Sequence, residues 1–438
     1  MHVGNKGATL NRDSLSLPAK AWEQGAYRWF SSPIQVTGLP LLGLEDRETG
    51  IILSTTLANP EKRVAAHRAW AAARHSRSSK MAWEILSEMG ERGVDPDQKI
   101  EATFRGYGHA SVGDMARLTI DFAHVPMHLC MALFHEGVIN SGQEKSTRYQ
   151  AAFRHALLQP IHQYVPETFP REELQQVEKE YQELGYMAQA FFVKHQAALH
   201  TALAAYFAVD ETDAQQRQAL QSRVLDCTRS FLLLGQGSGM SFESSARDWS
   251  RLIALLKASP RRLYRRIGLQ IETLLAPPKD IEAHFYKAEA PSLLRHTQPL
   301  DLINQNLRAL KQYIETQTDL FKEVSVITED PMLKAQYVRL LHPDATEGER
   351  LLAQYLLLLW PSLEQEQLLQ WIHMQPLEKK HALSSLLFSR HSHYQELPSF
   401  ARTTRLTLAL RCCLGRCGIL IGTVPGGVFS LCLSFLGQ

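Results

Sequence analysis

Apolar residues recur every three or four positions through most of the chain, a pattern typical of amphipathic helices. Residues 61–89 predict a helix or a pair of helices that begins after Asn59-Pro60 and ends at Gly90. Residues 118–122 (LTIDF) predict a short strand, and residues 127–136 predict an apolar helix that ends at Gly137. Further helices are predicted over residues 171–207, 215–234, 246–257, 301–324 and 347–360. We therefore expect an α+β protein dominated by helices, with few strands and a mostly helical C-terminal part.

Composition and charge predict a globular protein with a sizeable core. Of 438 residues, 45% are hydrophobic and 21% are charged. The formal net charge of +2 argues against a surface that binds nucleic acid as a whole. Six cysteines without a C-x-x-C pair argue against a disulfide scaffold and a zinc knuckle, so no metal site is expected. The first residues lack the apolar core of a secretory signal, and the expected location is cytoplasmic.

The sequence pattern divides the chain into five parts with different expected roles. Residues 1–60 are rich in turn formers and predict an extended lead-in, and residues 61–280 form the main domain. Residues 281–335 predict a helical connector, and residues 336–410 predict a partial repeat of the main domain. Residues 411–438 form a separate apolar, cysteine-rich tail.

The most informative polar residues lie between positions 106 and 150. A compact turn, Gly108-His109-Ala110-Ser111, precedes the predicted strand, and the apolar helix after that strand contains His135 in its last turn. A glycine-bounded loop then leads to the hydroxyl and basic residues of the segment 144–149. Hydroxyl groups donate single hydrogen bonds, and the planar guanidinium group of arginine matches phosphate oxygens. Taken alone, this cluster fits either an anionic ligand or a solvated polar loop.

The order and spacing of these residues resemble the flavin-dependent thymidylate synthase (ThyX) family. His109 and His135 are 26 positions apart, as the two histidines of the family are. The segment 143–149 (QEKSTRY) is similar to the second half of the family's fingerprint, with glutamine in place of asparagine. Upstream, residues 72–76 (AARHS) are similar to an early Ala-Arg helix motif of the family.

A downstream pair of arginines extends this resemblance, which covers about residues 60–275. Arg229 and Arg247 are 18 positions apart, as in the family's Ala-Arg and Asn-Ala-Arg motifs, and Ser245-Ala246-Arg247 stands in place of the second motif. The resemblance implies a fold in which long helices pack on a small antiparallel sheet. The chain is thus identified as a divergent, tandem-type member of the family.

The resemblance implies a thymidylate synthase of the methyltransferase class that uses FAD. Such an enzyme makes dTMP from dUMP, with methylenetetrahydrofolate and NADPH as co-substrates, and it works as a homotetramer with composite sites. Catalysis then depends on binding and orientation around the cofactor, so no catalytic residue is assigned. The residues expected to face FAD are Ser111, His135, Glu144, Ser245 and Arg247. Those expected to face dUMP and its phosphate are Ser146, Thr147, Arg148 and Arg229.

Several positions depart from the family pattern. The family's Arg-His-Arg is Phe134-His135-Glu136 here, with two extra residues before the Ser-x-Arg-Tyr cluster. Loss of one charge-assisted hydrogen bond costs about 1.5–3 kcal/mol, and Glu136 would repel an anionic ligand or bind it in the protonated form. The arginine that polarises uracil in the family falls at Leu256, beside Lys257. The alternative function is therefore a non-catalytic, flavin- or nucleotide-binding remnant that acts as a structural partner subunit.

The tail beyond the predicted repeat has an unusual composition. Its 28 residues hold four of the six cysteines, and positions 419–438 carry no charge. Codons for residues 421–424 (IGTV), read two bases out of frame, are able to spell Arg-His-Arg, so we hypothesise a frameshift near Arg411 that truncates the second copy. A membrane anchor and an ordinary buried terminus are the other interpretations, although Pro425 and its neighbouring glycines disfavour a membrane span.

Three further patterns have two interpretations each. The G-x-G-x-G run at 235–239 is expected to be a flexible turn rather than a phosphate-binding loop. The basic run at 261–266 (RRLYRR) is expected to be a solvated helix face rather than a site for RNA, phosphate or polyglutamate. His124 and His128 have metal-ligand spacing, but Pro126 between them disfavours a metal. The apolar stripe predicted to be core comprises Phe191, Phe192, Ala198, Leu199, Leu203 and Tyr206.

Overall fold

The computed structural model divides the chain into two compact units, Met1–Pro299 and Leu300–Gln438. It describes residues 20–33, 40–56, 64–93, 95–96, 98–101, 110–137, 140–145, 159–164, 170–259, 261–285, 288–299, 302–325, 338–340, 345–360, 363–389 and 408–410. The division does not coincide with the predicted domain change after residue 280. Ala290 and Leu293 are buried in the core of the first unit, which therefore continues past that position.

The first unit is built on a seven-stranded antiparallel sheet, and this confirms the predicted α+β class. The strands are β1 (Lys20–Gln24), β2 (Tyr27–Pro33), β3 (Pro40–Asp46), β4 (Ile52–Thr56), β5 (Arg117–Pro126), β6 (Asn140–Glu144) and β7 (Gly237–Ser245). Their order across the sheet is β1-β2-β3-β4-β5-β7-β6. Residues 20–56, predicted as a lead-in, thus supply four strands, because alternating apolar residues such as Leu42 and Leu44 face the core.

Nine helices of the first unit lie in the described residues. They are α1 (Val64–His75), α2 (Ala82–Glu91), α3 (Met127–Glu136), α4 (Arg171–Lys194), α5 (Gln196–Tyr206), α6 (Ala214–Thr228), α7 (Ala246–Lys257), α8 (Arg262–Leu275) and α9 (Lys279–His284). Short 3-10 segments lie at Ala110–Met115, Ile161–Gln163, Arg229–Phe231 and Pro291–Leu293. The predictions for β5, α3 and α7 are confirmed.

Helices α7 and α8 connect the sheet to the rest of the core. Trp249 of α7 is fully buried and donates its indole N–H to the carbonyl oxygen of Leu118 on β5 at 2.9 Å. Gln270 of α8 is also buried, and its amide nitrogen donates to the carbonyl oxygens of Leu44 and Ile51 at 2.9 Å each. The Ile51 carbonyl oxygen also accepts the backbone N–H of Asp46 at 3.0 Å, so Gln270 fastens α8 to a hydrogen-bonded turn between β3 and β4.

The stripe on α4 and α5 that was predicted to be core is mostly exposed, so that prediction is wrong. Phe192 is buried, but Phe191 is 40% exposed and Tyr206 is 80% exposed. Within the described residues, Phe192 belongs to a small cluster with Leu225 and Leu232, separate from the main core. The two helices therefore bury one narrow face and leave a broad apolar face uncovered.

The basic run at 261–266 is held by acidic residues of the sheet rather than forming a solvated helix face. The Arg266 guanidinium donates to both carboxylate oxygens of Asp46, at 2.6 and 3.0 Å. Asp46 also accepts the backbone N–H of Glu48 and of Thr49 in the turn between β3 and β4. Arg262 pairs with Glu48 at 2.9 Å. This network fastens α8 to the end of the sheet.

The second unit is helical. Its helices are α10 (Leu302–Gln317), α11 (Leu320–Ser325), α12 (Glu347–Leu359), α13 (Gln365–Met374) and α14 (Leu377–Phe388), and a two-stranded antiparallel sheet pairs β8 (Val338–Leu340) with β9 (Leu408–Leu410). Helix α12 begins with a capping box, in which Thr346 Oγ1 accepts from the Glu349 N–H and Glu349 accepts from the Thr346 N–H. No helix in the described parts of either unit combines the length and hydropathy that a membrane span needs.

We predict that Arg266→Met destabilises the chain by about 3–5 kcal/mol, because it leaves the buried Asp46 carboxylate without its cation. The side chain of Asp46 is only 1% exposed. Urea unfolding of the full chain measures the change. Arg262→Met is the matched control: its partner is partly exposed, so the expected cost is below about 1 kcal/mol. Equal effects of the two substitutions would contradict this account of the network.

Candidate functional site

An open cavity of about 630 Å³ lies where the end of α1 meets the 3-10 segment Ala110–Met115. Its lining combines arginine and serine side chains with an apolar wall. The lining residues are Trp70, Ala72, Ala73, Arg74, Ser76, Arg77, Ser78, Ser111, Val112 and Met115. We call this cavity the α1 pocket. It brings together Ser111, which was predicted to face FAD, and the 72–76 motif.

The 3-10 segment is fixed against the start of α7 by the sheet. Arg117 of β5 lies opposite Ser245 of β7, so the residues just before β5 and just after β7 are neighbours. A Cβ atom at Gly113 would lie 3.2 Å from Cβ of Arg247, which is tighter than an ordinary contact, so the approach favours glycine at this position. The Arg247 guanidinium donates to Asp114 at 3.0 Å. Arg247 is thus held against the short segment that carries Ser111.

The α1 pocket carries positive charge and hydroxyl donors at one end. Arg74 lies in the last turn of α1, and Arg77 and Ser78 follow it in the turn toward α2. The side chains of Ser76 and Ser111 are exposed at this place. Guanidinium and hydroxyl groups in this arrangement match the oxygens of a phosphate or pyrophosphate group.

Two predicted FAD contacts lie near this region in different environments. Ser245 is fully buried, and its hydroxyl oxygen caps α7 by accepting the backbone N–H of Asp248 at 3.1 Å. Helix capping alone therefore explains this serine. His135 lies exposed in the last turn of α3.

The residues that replace the two motif arginines have structural partners. The Phe134 ring packs edge-on against Phe242 of β7 at 5.3 Å between centroids. The Arg251 guanidinium donates to the backbone carbonyl of Glu136 and lies 4.0 Å from its carboxylate. Arg251 also pairs with Asp248 at 2.8 Å. The negative charge of Glu136 is thus offset by a cation on α7, and an aromatic contact occupies the place of the first arginine.

The remaining predicted contacts that the structure describes lie toward the other end of β7. Glu144 ends β6 opposite Met240, whereas Ser245 ends β7, a separation of about 16 Å along the strand. Glu144 is exposed at this end of the sheet. Arg229 pairs with Asp226 at 3.1 Å in the segment that leads into β7. The described FAD contacts therefore do not form one cluster within the chain.

Part of the predicted site lies outside the described residues. Ser146, Thr147 and Arg148, which were predicted to face the nucleotide, belong to this part, as does His109.

Two residues of the site were not predicted from the sequence, although their positions relative to the motifs could have indicated them. Arg77 directly follows the 72–76 motif, and Arg251 lies one helical turn after Arg247. Leu256 is core, and Lys257 pairs with Glu272 at 2.6 Å.

The G-x-G-x-G run was predicted to be a flexible turn, and this holds only for its start: Gly235 lies in a turn, whereas the run continues into a strand. Gly237 and Gly239 lie in β7, opposite Pro126 and Ala123 of β5. A Cβ atom at Gly239 would lie 2.9 Å from the carbonyl oxygen of Phe122, so the close pairing of the strands favours glycine. The run is therefore used for strand pairing.

His128 is part of an aromatic cluster. Its Nδ1 lies 3.0 Å from the hydroxyl of Tyr264, whose ring stacks on it, and Tyr164 packs edge-on against it. Desolvation, helped by the positive charge of Arg261, lowers the pKa of His128 to about 4. His124 has a φ of 61° and lies at a bulge in β5. Within the described residues, no group of three His, Cys, Asp or Glu side chains is placed to hold a metal ion.

Comparison with known proteins gives distant structural likenesses only. No protein-family model matches the chain, and no curated protein matches it. Among solved structures, the chain is similar to a UMP/dUMP methylase, PolB, from Streptomyces cacaoi bound with 5-Br dUMP, at 16% identity and a TM-score of 0.34. The likeness covers 50% of this chain and 91% of that one. A TM-score this low assigns neither a fold nor a function to this chain.

We predict that His128 makes the chain less stable as the pH falls from about 6.5 to about 4. The unfolded chain binds a proton on this histidine at a higher pH than the folded chain, so acid favours unfolding. At pH 5 the loss is about 2 kcal/mol relative to pH 7. The measurement is urea unfolding at several pH values for the native chain and for His128→Gln. The variant is expected to lose less stability over this interval, and identical pH profiles would contradict the assignment.

Proposed function

We propose that this chain is a flavin-dependent enzyme that converts dUMP to dTMP, with methylenetetrahydrofolate as the one-carbon donor and NADPH as the reductant. The observation that carries the proposal is the α1 pocket, in which two separate family-like motifs meet. Ser76 and Ser111 belong to these two motifs and are 35 positions apart in sequence, yet both line the pocket. If the similarity of the two motifs to the family were due to chance, there would be no reason for both to line the same pocket.

The donor set of the pocket fits the anionic part of FAD. Arg74 and Arg77 would hold the pyrophosphate oxygens, and the hydroxyl of Ser111 would donate a further hydrogen bond. The Ser76 hydroxyl lines the same pocket and donates to a backbone carbonyl of α1 at 2.8 Å, a bond that it would exchange for one to the ligand. Trp70 offers an apolar surface for a ring system. The volume of about 630 Å³ lies in the range of pockets that bury ligands of this class. When bound, reduced FAD supplies the hydride for the methyl group.

The protein's own contribution is to bind and orient rather than to react covalently. Arg247 follows the last residue of β7, whereas Glu144 lies opposite Met240 near the start of that strand. We therefore infer that a complete site combines residues of more than one copy of the chain. The uncovered apolar face of α4 and α5 supports assembly into an oligomer, because exposed apolar patches mark protein interfaces. Its large exposed residues include Leu184, Tyr186, Met187, Phe191, Val193 and Tyr206.

Internal charge pairing favours a second candidate, a subunit that binds flavin or nucleotide without turnover. Arg247 is already paired with Asp114, and Arg251 is paired with Asp248. An anionic ligand would have to compete with these carboxylates for each cation. In this second candidate the α1 pocket still binds flavin or nucleotide, but the paired arginines are less available to support catalysis.

The two candidates differ in colour and in chemistry. Purified chain that is yellow and releases tritium from [5-³H]dUMP, with methylenetetrahydrofolate and NADPH present, supports the enzyme. A flavin-bound chain that releases no tritium supports the second candidate. A chain that neither carries nor binds flavin contradicts both.

We predict that Arg74→Ala weakens FAD binding by about tenfold to a hundredfold. This range corresponds to the loss of one charge-assisted hydrogen bond. Equilibrium dialysis of the full chain against FAD measures the change. Arg92→Ala is the matched control, because Arg92 is exposed at the end of α2 and does not line the pocket. Equal affinity of the Arg74 variant and the native chain for FAD would contradict the assignment of FAD to this pocket.

A further inference from the structure

Each unit contains a block in which two strands that pair antiparallel are separated along the chain by helices. In the first unit, β4 is followed by α1 and α2, and then by β5, which pairs antiparallel with β4. In the second unit, β8 is followed by α12, α13 and α14, and then by β9, which pairs antiparallel with β8. The blocks differ in what precedes them, which is strands β1–β3 in the first unit and helices α10 and α11 in the second.

A sequence match aligns the last strands of the two blocks, and the strand pairing then shows which residues lie opposite them. Residues 111–122 (SVGDMARLTIDF) and 399–410 (SFARTTRLTLAL) align without a gap and share one serine and an Arg-Leu-Thr run. This alignment makes Leu410 equivalent to Phe122. In the structure, Phe122 lies opposite Leu53 and Leu410 lies opposite Val338. The paired residues are 69 positions apart in the first block and 72 positions apart in the second.

The second helix of each block buries an apolar pair with i, i+4 spacing, although α13 buries more residues than α2 does. Ile85 and Met89 are the buried residues of α2, at i and i+4. Leu368 and Ile372 are buried on α13 with the same spacing. Residues at i and i+4 lie on one face of a helix, so each helix presents an apolar face of the same kind to its own unit.

The turn after the first helix differs in charge between the two blocks. In the first unit this turn contains Arg74, Arg77 and Lys80. The corresponding residues of the second unit, 357–364 (LLLWPSLE), contain one carboxylate and no cation. Leu359 and Trp360 instead pack against the core of the second unit. A pyrophosphate group would find no guanidinium partner at this turn.

We propose that the second unit is a second copy of this block that has lost the cations of its pocket, so that each chain binds one flavin nucleotide, through the first unit. The stoichiometry rests on the function proposed above, whereas the repeat does not. The second copy serves as a structural unit. The turn after its first helix packs against the apolar core, whereas the same turn of the first copy carries the cations of the pocket.

Hydrogen exchange of the full chain tests the repeat without any ligand. Arg339→Pro interrupts β8 and is expected to remove the exchange protection of residues 408–410, whereas Arg339→Ala keeps it. Ser54→Pro is the matched substitution in the first copy. It is expected to reduce the exchange protection of those amides in residues 121–123 that bond to β4, whereas amides that bond to β7 keep theirs. Unchanged protection of residues 408–410 in Arg339→Pro would show that β8 does not pair with β9, and the repeat would be wrong.

Equilibrium dialysis and hydrogen exchange with FAD test the single site. We expect one FAD per chain, with new protection at residues 70–80 and 110–117 and none at residues 357–364. Two FAD per chain, or protection at residues 357–364, would overturn the loss of the second pocket. A chain that binds no FAD would refute the proposed function, and the proline variants would still decide whether the second copy exists.

Discussion

The pairing of β5 with β7 is the interaction on which the rest of the first unit depends. It places the 3-10 segment that precedes β5 beside the start of α7, which follows β7. The N–H of Ala246 donates to the carbonyl oxygen of Ala116 at 2.9 Å, and Trp249 reaches across to Leu118. Without this register, Asp114 would not meet Arg247, and the α1 pocket would lose one of its walls. Strand pairing therefore connects segments more than 100 residues apart.

Two residues that depart from the family-like pattern each have a partner in the structure. The Phe134 ring makes an aromatic contact with Phe242 on β7. Arg251 on α7 lies close enough to Glu136 to offset its negative charge. A buried or half-buried charge is tolerated when a partner offsets its desolvation, so both residues are compatible with a stable fold.

The elements predicted best from the sequence are those defined by a local pattern of apolar residues. Helix α3 and helix α7 have apolar periodicity bounded by clear start and stop residues, and both form over the predicted ranges. Strands β1–β4 were missed, because their alternation is short and lies between many turn formers. The Arg266–Asp46 pair joins residues 220 positions apart, and no pattern within either segment indicates it. The pocket was predictable in part. The motifs contain Ser111 and Arg74, but only the fold shows that both residues line the same cavity.

A crystal structure of the full chain soaked with FAD tests the central claim most directly. We expect density for the phosphates of the ligand between the end of α1 and the 3-10 segment, within hydrogen-bond distance of Arg74, Ser76 or Ser111. Ligand density at another place, with these side chains unchanged, would contradict the assignment of the α1 pocket.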